Sequence, residues 1–281
     1  MPAVQRTILA PDEHPRTGFF NSSLFHVLLL IIAALAVYSN TLQVPFQFDD
    51  PTNITDSPLV RNVRNFENWD VLMQSRSLSN LTLALNFRFN GTAVAGYHIV
   101  NILIHLVNAL LVYALVGLLF RTPVLLRSSL KKHAGLIALF AALLFVTHPV
   151  QTGAVTYIVQ RLASLATLFF LAGISAYLNS RFATEDRRSN MVQSFWYVVA
   201  LVSAVLAMKS KETAFTLPIM ICLAEFLFFT GGLRKRIAFL LPFLLTMLII
   251  PFSLIGTGKP LGDLVGDVSK VTRLETNLPR T

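Results

Sequence analysis

Two carboxylates stand side by side at Asp49 and Asp50, after Phe48 and before Pro51. Adjacent carboxylates repel, which raises the proton affinity of one of them and can prepare a general base. A solvated turn closed by Pro51 is the simpler reading of the same residues. His148 is a second candidate, in the run Thr147-His148-Pro149-Val150-Gln151, where Pro149 ends or kinks any helix that reaches it. A polar helix end accounts for it equally well. Arg161, with Gln160 beside it, lies within an apolar stretch. A guanidinium there is costly unless it meets a partner or a watery cavity. It can hold a phosphate through two parallel N–H groups, and a structural ion pair is the competing role. Lys209 and Lys211, followed by Glu212, form a fourth group. Lysine is a common phosphate partner, and chance placement in a loop is the bland alternative.

His98, Asn101, His105 and Asn108 recur at spacings that fall along one face of a helix. The two histidines would be roughly 10 Å apart, too far to ligate one metal by themselves. Hydrogen bonding to neighbouring helices is the favoured role. Glu225 fits either a buried site or the membrane interface. Asn-x-Thr sequons begin at Asn53, Asn80 and Asn90. No cofactor motif or compelling metal-ligand cluster is present, and metal dependence stays open. The single cysteine, Cys222, rules out an intrachain disulfide framework.

These side chains must be positioned by membrane helices. Of the 281 residues, 54% are hydrophobic and 13% charged, about half the charge of a soluble domain, and the mean hydropathy is +0.63. The apolar residues come in blocks long enough to cross roughly 30 Å of hydrocarbon. The blocks lack the alternation of barrel strands, which leaves helices. The fold expected is an all-α polytopic bundle of about seven spans, near 24–39, 97–120, 134–147, 154–179, 192–208, 214–229 and 237–255.

Arg121, Arg127, Lys131 and Lys132 fall in one connection, Arg181, Arg187 and Arg188 in another, and Arg234, Lys235 and Arg236 in a third. With Arg6 and Arg16 of the tail 1–22, they place the N-terminus in the cytoplasm by the positive-inside rule. The loop 40–96 and the tail 256–281 then lie on the outer side. The net charge of +9 follows from this topology and does not indicate a nucleic-acid partner. The loop carries Phe46, Phe48, Phe66 and Trp69, and Leu78, Leu81, Leu85 and Phe89 mark an amphipathic helix at the membrane surface, with Leu83 off the stripe. It would cover the outer mouth of the bundle.

In order along the chain, the run from Tyr38 to Asp50 is followed by Arg76-Ser77-Leu78 and Gly96-Tyr97-His98-Ile99-Val100-Asn101. His148-Pro149-Val150-Gln151-Thr152, Tyr157-Ile158-Val159-Gln160-Arg161 and Lys211-Glu212-Thr213-Ala214 come next. Together they resemble the transmembrane-and-tetratricopeptide-repeat O-mannosyltransferase-like proteins, over about residues 24–255. The resemblance implies a GT-C-like bundle that takes sugar from a polyprenyl-phosphate donor at the outer face and passes it to a protein or glycan hydroxyl. Asp49 or Asp50 would be the base. Arg161, Lys209 and Lys211 would neutralise the lipid phosphate, and His148 would shape the site. Arg76, His98, Gln160 and Glu212 would support it.

The chain departs from the family pattern where Gly153 replaces a frequent Glu and Ser77 a common Pro. The pattern also continues into further spans and repeats, so a truncated relative, or one with a partner supplying those parts, is expected. A non-catalytic subunit that binds the lipid carrier or a partner is the alternative. A transporter is disfavoured, since no half-length symmetry is evident.

Overall fold

The computed structural model describes residues 22–255 apart from residue 187. Arg6 and Arg16, Arg187 and the expected outer tail 256–281 therefore lie outside the described residues. The described residues contain helices and turns and no strand. α1 (Ser23–Tyr38) is followed by short loop helices α2 (Asp50–Asn53), α3 (Pro58–Arg61) and α4 (Trp69–Met73), then by α5 (Ser77–Asn90). Next come α6 (Val94–Leu119), α7 (Ala134–Thr147) and the one-turn α8 (Gln151–Val155). α9 (Arg161–Glu185), α10 (Asn190–Ser210), α11 (Leu217–Phe228), α12 (Leu233–Thr246) and α13 (Ile249–Ile255) complete the order.

Among the described residues, six helical segments are long and apolar enough to cross a membrane, the shortest 19 and the longest 28 residues. The sixth is α12 and α13 taken together, running Leu233–Ser253 around Pro242. The chain is thus a multi-pass helical membrane protein. The remaining expected span, 214–229, is α11, only 12 residues long, or about 18 Å. It still runs the depth of the bundle, because an extended 3-10 lead-in, Glu212–Thr216, precedes it. Lys211 at its start bonds Gln160 at the head of α9, while Glu225 near its end bonds Arg181 at the foot of α9.

The burial pattern is that of a protein whose solvent is apolar. On α6 the buried face is the polar one, His98, Asn101, His105 and Asn108, while Ile99, Leu103 and Val107 point outward. Each polar side chain bonds a backbone carbonyl on another segment: His98 Nε2 to Val44 O at 2.9 Å, Asn101 Nδ2 to Val155 O at 3.2 Å, His105 Nε2 to Val146 O at 3.2 Å and Asn108 Nδ2 to Ser164 O at 2.9 Å. This is the interhelical role expected of the stripe. α6 in this way holds α7, α8 and α9 around it.

α9 and α10 pack along their length through small residues, as helices in lipid do when shape rather than hydrophobicity drives association. Ala176 of α9 shares a buried cluster with Ala200, Ala204 and Ala207 of α10, and Ser180 Oγ donates to Gln193 O at 3.1 Å. At Gly173 a Cβ would sit 3.5 Å from Ser203 Cβ, an ordinary contact, and 3.2 Å from Leu217 Cδ2, so α11 packs closely on α9 there and an alanine would need the Leu217 side chain to give by a few tenths of an ångström.

The loop 40–96 is structured. Ser57, Asn62 and Asn68 cap its short helical turns with their side-chain oxygens. Ile54, Val60 and Phe66 form a small core with Leu83, Ala84, Tyr97, Ile158 and Leu162. α5 does form where its periodicity placed it, and it ends at Gly91, whose φ of +56° suits glycine. Its apolar stripe turns away from the bundle. Leu85 and Phe89 of the apolar stripe are exposed, and Leu83, off the stripe, is buried against the bundle.

Candidate functional site

One end of the bundle gathers most of the candidate residues. The chain between α8 and α9, expected to lie within a continuous span starting near 154, is instead broken. Tyr157 leaves the helix in an extended conformation, a 3-10 turn Ile158–Gln160 follows, and α9 begins at Arg161. Three consecutive residues of this break hold three different neighbours. Val159 N–H donates to Asp50 Oδ1 at 2.8 Å. Gln160 Oε1 accepts from Lys211 Nζ at 3.3 Å. Arg161 reaches into α5 and α6.

The two aspartates part company here. Asp50 is 1% exposed and uses both oxygens on backbone donors, Oδ1 from Val159 and Oδ2 from Gln47 N–H at 3.0 Å. Burial pushes its carboxyl above the usual carboxylate range, against the pull of those N–H bonds. Asp49 is exposed, and its Oδ2 accepts only the Asn53 side-chain amide at 3.1 Å among the described residues. Phe48, just before the pair, has φ of +50° and a side chain 85% exposed, with its ring edge-on to Tyr157 at 5.3 Å.

Arg161 is placed differently from a ligand-binding arginine. It is 0% exposed, and its guanidinium is cradled by neutral oxygens. Nε donates to Asn101 Oδ1 at 2.7 Å, Nη1 to Thr82 O at 3.1 Å, and Nη2 to Asn86 Oδ1 at 2.7 Å and Tyr97 O at 3.1 Å. In this conformation it fastens α5, α6 and α9 together and presents nothing to a ligand. Asn86 and Thr82, which complete the cradle, went unremarked in the sequence. The signal was there: Asn86 is an amide in α5 about 100° around the helix from Leu85 of the apolar stripe.

Lys209 is also occupied, donating to Met73 O at 2.7 Å and Ser253 Oγ at 3.0 Å, which ties the loop and α13 to α10. Lys211 is partly exposed, with Gln160 as its partner. Arg76 has φ of +60° and donates through Nε to both oxygens of Glu212, at 2.9 and 3.0 Å, while its guanidinium side chain remains half exposed. Ser75 Oγ adds a 2.5 Å bond to Glu212. Burial alone would raise the Glu212 carboxyl, but the bonds from Arg76 and Ser75 outweigh it and hold it below its ordinary value.

His148 lies exposed at the end of α7, where its Nδ1 accepts from Val150 N–H at 3.2 Å. His98 is fully buried, with Nδ1 lacking a hydrogen-bond partner; it supports the loop through Val44 and does not reach the surface. Gly153 is exposed, and a Cβ there would meet open space. Beside it a cleft of about 210 Å³ is lined by Tyr38, Asn40, Thr41, Thr152 and Thr156. Among the described residues no three His, Cys, Asp or Glu side chains are grouped to hold a metal ion.

Glu225, undecided in the sequence, is buried at the opposite end. It accepts from Tyr177 Oη at 2.8 Å, Arg181 Nε at 2.8 Å and Arg236 Nε at 3.1 Å.

Comparison with known proteins gives the family. The chain is 31% identical over 253 residues to the protein O-mannosyl-transferase Tmtc3 of Drosophila melanogaster, an alignment covering 80% of this chain and 27% of that protein. The chain belongs to the TMTC family of protein O-mannosyl-transferases. Human TMTC1 is 31% identical over 71% of the chain and 23% of its own length, and mouse TMTC4 is 27% identical over 83% of the chain and 37% of its own. The TMTC relatives are therefore roughly three to four times longer than the stretch they share with this chain. No family model and no solved structure matches it. In this TMTC chain the motifs Phe48-Asp49-Asp50, Tyr157-Ile158-Val159-Gln160-Arg161 and Lys211-Glu212 meet at the break before α9.

Proposed function

We propose that this end of the bundle transfers a sugar, mannose by the relatives' names, from a polyprenyl-phosphate donor to a hydroxyl of a protein or glycan acceptor, with Asp49 as the general base. The observation that carries this reading is the division of labour between the aspartates. Asp50 is committed to Gln47 and Val159, while Asp49, next to it in the chain, stays exposed. Asp49 takes the proton from the acceptor hydroxyl, whose oxygen forms a bond to the anomeric carbon. The bond from that carbon to the phosphate oxygen breaks, and polyprenyl phosphate leaves with the electron pair, inverting the centre. In this reading Lys211 and the exposed edge of Arg76 neutralise the phosphate charge as it develops. Arg161 and Lys209 act as positioning residues.

The basic residues of the opposite end, including Arg121, Lys131, Arg181 and Arg236, support a cytoplasmic placement for it and an outer placement for the site. The test is transfer in membranes from a polyprenyl-phosphate sugar. Asp49→Asn is expected to lower turnover by about 10² to 10⁴ with expression and melting unchanged. Full activity in that variant would remove Asp49 as the base.

A second reading, a non-catalytic subunit that binds the lipid carrier or a partner, is favoured by Gly153. The family often has Glu there, and the open space around Gly153 is where that carboxylate would stand. A stably folded wild-type chain that binds the donor without transferring sugar would support it.

A further inference from the structure

We propose that Phe48 and Tyr157 form an aromatic wall against which the sugar ring of the lipid-linked donor lies, beside Asp49. This rests on the transfer reading above. Two costs coincide at Phe48. Its backbone is left-handed at φ of +50°, a conformation that glycine or asparagine adopts with far less strain. Its phenyl ring is also 85% exposed, so burial does not offset the strain. Strain retained in an over-determined setting is a mark of function, and the setting is indeed over-determined. The Asp50 carboxylate bonds Gln47 N–H and Val159 N–H, fixing Phe48 two residues before Asp50 and Tyr157 two residues before Val159.

The rings stand 5.3 Å apart at 70°, giving a corner with two aromatic surfaces. Ring faces carry negative potential, and one face of a hexose presents polarised C–H bonds to match it. The hydroxyls on the sugar's other edges are then free to meet Asp49 and the Asn53 amide, which bond each other at 3.1 Å. The wall thus supplies apolar contact and the neighbouring residues supply direction, as in other small-ligand sites.

The probe is the Phe48→Trp variant of the full chain in phosphatidylcholine vesicles, its emission taken as the difference from wild type, which already contains Trp69 and Trp196. Titration with polyprenyl-phosphate mannose is expected to shift the added emission, and sugar-free polyprenyl phosphate is expected to leave it unmoved. Equal responses to both lipids would assign Phe48 to the lipid or the bilayer and overturn the wall; a response to neither would also overturn it. Phe48→Leu and Tyr157→Leu should each raise the half-saturating concentration of the mannosyl lipid about three- to tenfold, while Phe48→Tyr keeps it. Unchanged half-saturation in both leucine variants, with melting as in wild type, likewise refutes the wall. A wild type that binds through the wall but transfers nothing would sink the transfer reading and leave this one standing.

Discussion

Replacing Asp50 by Asn exchanges one of two acceptor oxygens for an NH₂ group, which would face either Gln47 N–H or Val159 N–H. Leaving a buried donor unpaired costs about 1–3 kcal/mol. Asp50→Asn should therefore lower the melting temperature, measured in bilayers, where Asp49→Asn leaves it alone. Equal melting of the two variants would erase the distinction drawn between them. The acidic groups also set a pH dependence. The Glu212 carboxyl is held below its ordinary value of 4.5, so its contribution is complete above that value and is lost as pH falls through the lowered one. Asp50, raised by burial, behaves oppositely: its contribution is complete below the ordinary carboxylate range and fades as pH rises through the raised value. Limited proteolysis of the loop 40–96 should accelerate below pH 4.5, and Arg76→Met should remove most of that dependence. At this scale the sequence was legible only in part. It showed a guanidinium at depth but not its carbonyl cradle, because Thr82, Asn86 and Tyr97 come from segments that only tertiary packing brings together. It showed two aspartates but not which one the backbone N–H of a residue 109 positions away would claim.

Among the elements, α8 offers the most direct test. Gly153 is exposed in a helical turn with room for a side chain, and glycine in a helix costs up to about 1 kcal/mol relative to alanine. Gly153→Glu should fold at least as well as wild type by thermal melting. If the second reading of the protein holds, it should also bring sugar transfer up from nothing; if the first holds, it should alter an existing rate. The spans and α5 were readable because apolar length and periodicity are local properties. The stripe on α6 was readable as a seam because its polar residues share one face. The start of α9 was not, since residues 154–160 are apolar enough to continue a helix. The break is imposed by Asp50, Asn101 and Lys211 competing for its backbone and side chains. α11 was overestimated in length for a related reason: an apolar sequence does not reveal that its first turn is wound as a 3-10 helix.

For the whole molecule, the bundle is clamped at both ends, by Arg76 and Glu212 at the loop end and by Glu225 with Arg181 and Arg236 at the other. The second clamp is enclosed, so Glu225→Leu strands two arginines and should destabilise the protein by about 3–5 kcal/mol, measured as unfolding in mixed micelles. The same geometry predicts sidedness by parity. In a Cys222→Ala background, Gly232→Cys should react with an impermeant thiol reagent from the same side as Ser128→Cys and the opposite side from Ser57→Cys. Reaction of Gly232→Cys together with Ser57→Cys would mean that α11 turns back without crossing. The break at 158–161 has a further consequence, for how such chains can change over generations. With three successive residues each bonded to a different neighbour, one inserted residue would swing everything beyond it by about 100° and part all three attachments at once. Length variation among relatives should therefore collect in the loop between α3 and α4, and the five residues from Tyr157 to Arg161 should keep their count even where their identities drift.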